Sequence, residues 1–552
     1  MIHFLKHFRA LRSHTGLTSA PGMLAGRLLV LILGLILLAP VIFILWGAAT
    51  GSHGESWPHV KEYLLTPALK TTAILLIGVA LVSLLFSIPA AWCLSNYQFW
   101  GRRIFSVLLI LPLAVPPYIA AYITTEARES AIPWLVEIRT DHGIDAYLRA
   151  ELYHRYAWLI AIMASVLYPY IFLATRSVFA HRSRQLGQAA RLLGAGRWRR
   201  FRTIHVPLVR PAAIAGLFLV CMEVLSDYGA AKHFGFNTVT VVIFRTWFGL
   251  DELETARFLS GTILAGVLVI LILERLQRGR ARFGEAHSSI DSLRRTGPSG
   301  TLLCWIVCGL PVALGFAYPL VTLMQWQSEH QQNFVLSDYR SEIIRTTLLT
   351  LSVALICILT SLFFLAFARF TKRRLDQTLA QAISSAGYAA PSTVMAVGVL
   401  GVASFSRTFS FENESLQSLL VSGSLIWLLF ALTSRYLAVS GQVISAGFQT
   451  IPTPLEQSAR ILGRKPWMVF LTIHLPLLRA PLIGATILVS VDISKELPLT
   501  LLLRPFDFET LGTSTYSLVN QGYLFASATP ALILIGLCAI GLIIVEFLNR
   551  KK

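Results

Sequence analysis

The 552-residue chain is 55% hydrophobic and only 14% charged, with a mean hydropathy of +0.65, a balance that excludes a water-soluble domain of ordinary composition. The formal charge of +19 does not describe a nucleic-acid surface, because the basic residues sit in short connections between apolar blocks instead of forming one stripe. Cys93, Cys221, Cys304, Cys308, Cys357 and Cys538 lie inside apolar blocks with no Cys-x-x-Cys pair, which excludes a disulfide or zinc framework.

The apolar blocks run for roughly 18–25 residues, the length a helix needs to cross a ~30 Å hydrocarbon core, and they lack the alternation of a membrane β-barrel. In chain order they predict twelve spans, near residues 28–48, 71–95, 104–124, 156–178, 212–230, 256–274, 301–325, 346–369, 378–402, 416–439, 481–497 and 526–547. The first follows Lys6, Arg9, Arg12 and Arg27 and ends in Gly47-Ala48-Ala49, as a cleavable leader would. Its length and distance from the amino terminus predict a retained helix instead. Basic residues at 102–103, 182–210, 275–295, 372–374 and 550–552 all fall on one side, which the positive-inside rule makes cytoplasmic together with both termini. Glu126 to Arg155, with six acids against four bases, belongs to the periplasmic side. The polar stretch 276–300 is the linker-like segment near the middle and divides the chain into halves, 1–275 and 301–552.

Leu186 to Ile214 aligns without gaps on Leu455 to Ile483 at an offset of 269, with 15 of 29 positions identical, so the halves are an internal duplication. Both copies fall in cytoplasmic loops, 182–211 and 441–480, between the fourth and fifth spans of their halves. In each, small and apolar residues at helical spacing stop at a glycine, and the chain resumes at Trp198 or Trp467 before a proline-bounded exit. The pattern predicts a short helix across the membrane face, suited to sit in the groove of a cytosolic partner and be moved by it. Plain connecting helices held at the interface by the tryptophans are the alternative.

The same offset brings Glu223 onto Asp492 and Asp227 onto Glu496, giving each half two acids at i, i+4 on one helix face. An acid within a membrane helix costs roughly 2.5–3.5 kcal/mol on insertion scales, so it usually faces a bundle interior or a water path. Four carboxylates from two related helices would form an anionic passage suited to a hard cation such as ferric iron. The alternative places them at the outer helix ends, hydrated or paired with Lys232, Lys495 or Arg245.

The repeated loop resembles the "EAA" signature of the permeases of binding-protein-dependent ABC importers. The matching residues are Gln188-Ala189-Ala190 with Arg191, Gly194, Ile204 and Pro207, then Gln457-Ser458-Ala459 with Arg460, Gly463, Ile473 and Pro476. Gln stands where the family has Glu in both copies, and Ser458 replaces an Ala, so a Glu–Arg anchor to the ATPase is not implied. Leu111 to Tyr118, Met222 to Gly229 with Phe234-Gly235, and Ser494 to Phe506 with Phe508 to Leu511 resemble the ferric-iron branch of these permeases.

The resemblance implies an all-α membrane fold of about twelve helices in two pseudo-symmetric six-helix halves. It further implies that each loop docks on one of two cytosolic ATPase subunits, which bind ATP and Mg, that this chain carries no cofactor, and that a periplasmic binding protein delivers Fe(III). Arg504 and the segments after the fifth and eleventh spans are then docking or gating elements, with ordinary loop packing as the alternative. The chain contains no Gly-Lys dipeptide, so ATP must bind elsewhere, and it has no His-Glu-x-x-His or Gly-x-Ser-x-Gly motif of an enzyme. A permease for thiamine or another small solute is the nearest alternative, and an ion-coupled secondary transporter the alternative of a different class.

Overall fold

The computed structural model describes residues 21–51, 53–180, 190, 192–194, 196–278, 294–329, 336–371, 374–387, 390–407 and 425–550. Among them the regular structure is helical apart from a two-residue parallel ladder, Tyr97–Gln98 against Arg294–Arg295, which ties the end of the linker to the connection after the second span. Seven helices are long and apolar enough to cross a membrane, and counting each of three bent pairs as one span gives ten. The bends follow proline, which removes a helix hydrogen bond and crowds the preceding turn. Arg102–Ala114 meets Pro117–Glu129 at 88° across Pro116, and Ile144–Leu167 meets Pro169–Val178 at 44°. Pro466–Leu477 meets Arg479–Ser494 at 69° between Pro476 and Pro481. The two other expected spans are helical as well: 256–274 lies within Leu253–Arg278, and 378–402 is shared by Arg374–Ala386 and Ser392–Arg407, parted just before Pro391.

The sequence halves are not separate packing units. One core joins spans two to five, through Leu75, Tyr118, Leu159 and Val220, to second-half residues Cys308, Trp326 and Leu534 of spans seven and twelve. The other joins spans eight to eleven, through Val353, Val397, Leu432 and Val489, to first-half residues Ile44 and Leu259 of spans one and six. Each half therefore lends its outer spans to the core of the other. Small residues make this approach possible, since lipid supplies no hydrophobic drive between helices. A Cβ at Gly398 would lie 2.6 Å from the Pro40 carbonyl, and one at Gly261 2.7 Å from that of Ile44. Helix Pro21–Thr50 is thus built into the bundle.

Both halves turn back after their fifth span. Val206–Ser226 is followed by the short helices Gly229–His233 and Val239–Leu250, and Arg479–Ser494 by Pro498–Leu503 and Leu511–Asn520. Thr238 and Thr510 cap the second helix of each pair, accepting N–H groups from Val241 (3.4 Å) and Thr513 (3.3 Å). Thr72 and Thr346, on the second and eighth spans, accept the N–H groups of Val239 (3.0 Å) and Leu511 (2.9 Å). Eleven positions separate Asp227 from Thr238 and fourteen separate Glu496 from Thr510, so the duplication here continues with a three-residue insertion.

Candidate translocation cavity and coupling loops

Glu223, Asp227, Asp492 and Glu496 line one cavity of about 50 Å³, with Tyr118, Tyr170, Ser226, Ser392, Arg435 and Lys495 among its other walls. That volume holds only a few waters. Asp227 and Glu496 do stand where their spans end, but the ends lie inside the bundle because the chain turns back there. The Asp227 carboxylate accepts the N–H groups of Ala231 (3.0 Å) and Ala230 (3.5 Å). Glu496 accepts those of Leu499 and Thr500, both at 3.1 Å, and the Thr500 hydroxyl at 3.4 Å. Each acid supplies acceptors to the open first turn of a short helix.

Glu223 and Asp492 stand one turn earlier on the cavity wall. Asp492 lies 3.2 Å from the Lys495 ammonium. Lys232 instead donates to the Tyr516 hydroxyl (2.9 Å) and to Asn520 (3.4 Å), and Arg245 is exposed on Val239–Leu250. Sequence reading passed over Arg435, which is 1% exposed and donates to the Ala390 carbonyl (2.5 Å) and the Ser226 hydroxyl (3.0 Å). Its signal was available: an arginine within the 416–439 block is an intramembrane charge. At the 269 offset its counterpart is Val166, and that of Lys495 is Ser226. The four acids are therefore duplicated, whereas both cations come from the second half. Among the described residues, no group of three or more His, Cys, Asp or Glu side chains is placed to hold a metal ion.

Arg504 sits in the connection between Pro498–Leu503 and Leu511–Asn520. It pairs with Glu509 (2.5 Å) and donates to the Phe508 carbonyl and the Thr513 hydroxyl, both at 3.3 Å. Arg345 donates to the Asp507 carbonyl (2.6 Å), and Asp507 takes a left-handed φ of 61°. This bracing holds Phe506 fully exposed.

In the first coupling loop, Gln188, Ala189 and Arg191 lie outside the described residues. Ala190, Gly194, Ile204 and Pro207 are described, as are all the corresponding residues of the second loop. Gln457, Ser458, Ala459 and Arg460 belong to helix Thr453–Ile461, which Gly463 terminates with φ +78°, and Gly194 takes the matching φ of +79°. Ile204 and Ile473 lie on matching π-helical turns, Phe201–His205 and Phe470–His474, which lead to Pro207 and Pro476 at the entry to the next span.

Sequence reading did not single out what stands just before the two glycines. Leu192 and Leu193 are 89% and 87% exposed, and Ile461 and Leu462 are 85% and 81% exposed. Apolar pairs thus stand exposed at the same place on both loops.

A duplicated helical bundle with an acid-lined cavity between its halves and a repeated, outward-facing loop in each defines a polytopic membrane permease. Residues 83–279 and 363–552 match the family described as "Binding-protein-dependent transport system inner membrane component", and the chain belongs to that family. It is a multi-pass inner-membrane permease subunit of an ABC importer, which removes the ion-coupled secondary transporter from consideration. The Fe(3+)-transport system permease protein of Haemophilus influenzae is 23% identical over 517 residues, 91% of this chain and 94% of that protein. The molybdenum transport system permease protein of the same organism is 30% identical over 38% of this chain and 95% of its own length. The sulfate transport system permease protein of Escherichia coli is 25% identical over 45% of this chain and 89% of its own length.

Proposed function

We propose that this chain imports ferric iron, released by an external solute-binding protein, through the cavity lined by Glu223, Asp227, Asp492 and Glu496. The observation that carries the reading is the convergence of four carboxylates from duplicated helices on one cavity beside only two cations, Arg435 and Lys495. A lining with a formal charge of four minus two in favour of acid attracts a cation and opposes an oxyanion. The iron-transport relative aligns over both halves of the chain, which supports the same solute.

Asp227 and Glu496 shape the passage by capping, and Glu223 and Asp492 meet the passing ion. At about 50 Å³ the cavity is too small to serve as a through passage, so transport requires the halves to rock apart. Two cytosolic ATPase subunits, holding ATP and Mg, drive that motion through the coupling loops, and this chain binds no cofactor. The basic loops support a cytoplasmic side for both termini and both coupling loops. Phe506, braced by Arg504, then faces the binding protein outside.

The test is uptake of radiolabelled Fe(III) into proteoliposomes containing the permease, its ATPase subunits and the binding protein, with sulfate and thiamine as rival solutes. Glu223→Gln combined with Asp492→Asn should cut iron uptake at least tenfold, on the order of one lost charge interaction of ~1.4 kcal/mol or more, while the complex still assembles. Uptake of a rival solute in place of iron, or full iron uptake by the double variant, overturns the proposal.

A further inference from the structure

The second coupling helix is fastened to the bundle by a buried carboxylate. Glu456 is 4% exposed on helix Thr453–Ile461, and its carboxylate accepts a hydrogen bond from Arg369 at 2.5 Å. Its Oε1 also lies 3.1 Å from Nε2 of His474. Arg369, at the end of the eighth span, further donates to the carbonyls of Phe448 (2.6 Å) and Ile451 (2.8 Å), where the tenth span finishes. His474 is fully buried among the rings of Phe370, Phe448 and Phe470, at centroid distances of 5.9, 5.6 and 6.2 Å. Arg460 of the same coupling helix lies over the Phe370 ring at 5.8 Å. The coupling helix, two spans and the return turn thus meet around one carboxylate.

The duplication preserves only part of this arrangement. At the 269 offset His205 matches His474 and Phe179 matches Phe448, but Gly187 stands at the position of Glu456. The Thr72 and Thr346 pair sets an offset of 274 for the second and eighth spans, and that places Ser95 opposite Arg369. In the first half Trp92 packs edge-on against both His205 (4.7 Å) and Phe179 (5.2 Å).

We propose that Glu456, Arg369 and His474 form a latch that ties the second coupling helix stiffly to spans eight and ten, so that a partner ATPase moving this helix moves both spans with it. A charge-assisted hydrogen bond is short and directional, and removing one member leaves the other charge buried without compensation. Displacement of Thr453–Ile461 must therefore carry span eight with it. The latch rests on the reading that both loops dock on ATPase subunits.

Hydrogen exchange of the assembled permease–ATPase complex in lipid nanodiscs tests it. Glu456→Gln should speed exchange of the amides of residues 456–462 by about tenfold, as expected when a local opening is eased by one decade. Exchange at 192–205 should stay unchanged, transport per ATP hydrolysed should fall severalfold, and the ATPase should still co-purify. Glu456→Asp should recover part of the protection, and Trp92→Ala should loosen the first loop alone. Unchanged exchange at 456–462 in both Glu456→Gln and Arg369→Lys overturns the latch, as does equal loosening of both loops. Loss of co-purification with unaltered exchange overturns it too, by assigning Glu456 to docking. A failure of the docking reading itself is seen separately, as undiminished ATPase binding when Leu192 and Ile461 are both changed to serine.

Discussion

Replacing Ile461 by serine removes an apolar side chain that stands 85% exposed at the tip of the second coupling loop, and replacing Leu192 does the same for one 89% exposed on the first. Nearly all of each side chain is available to be covered, and full burial of a Leu or Ile is worth about 1.5–3 kcal/mol. At ~1.4 kcal/mol per decade, each substitution should weaken docking of an ATPase subunit by roughly 10- to 150-fold. The permease itself should be undisturbed, since an exposed substitution away from special features alters stability by about 0.5 kcal/mol or less. The assay is titration of purified ATPase subunits onto the permease in nanodiscs, with a thermal melt of the isolated permease as control. Weakening of less than about twofold, or ~0.4 kcal/mol, at both positions would show that these side chains enter no partner groove.

Three further outcomes follow from the packing. Asp227→Ala leaves the N–H groups of Ala230 and Ala231 without their carboxylate and should cost about 0.5–2 kcal/mol, seen as a lowered melting temperature that Asp227→Asn largely restores. Thr72→Val and Thr346→Val each remove the acceptor of a buried helix-start N–H, and each should cost about 1–3 kcal/mol by thermal melting, the two effects being nearly additive. A Cβ at Gly216 would lie 2.5 Å from the Ile171 Cα, so Gly216→Val should destabilise by about 1–3 kcal/mol or more and lower the yield of folded protein, whereas Gly484→Val, where a Cβ meets nothing within 4 Å, should not.

Much of this permease is legible along the chain. Apolar run length predicts membrane helices because a span must satisfy its own backbone groups in lipid, and proline marks where those helices bend, at Pro116, Pro169 and around Leu478. The duplicated loops are equally plain, since their glycines, tryptophans and prolines impose local geometry wherever they occur. The i, i+4 acids could be paired across the halves by the offset alone, but the offset does not say that Asp227 and Glu496 cap short helices folded back into the bundle. Cap geometry depends on where the chain goes after the acid, and short helices bounded by tertiary contact carry little periodic signal of their own.

Helix length and duplication are thus properties the sequence determines by itself, the first because it depends on the match between a local segment and the bilayer, the second because it shows when the chain is aligned on itself. Partner choice is not. Helix Pro21–Thr50 is apolar on every side, yet Ile44 is fully buried while Leu35 is 63% exposed. Which face turns inward was decided by glycines of spans six and nine that lie hundreds of residues away. The exchange of outer spans between the cores, the seating of Arg435 beside Ser226, and the meeting of Arg369, Glu456 and His474 have the same origin. When lipid and protein interior are alike in polarity, only close packing and buried hydrogen bonds discriminate between faces, and those exist only once the distant helices are in place.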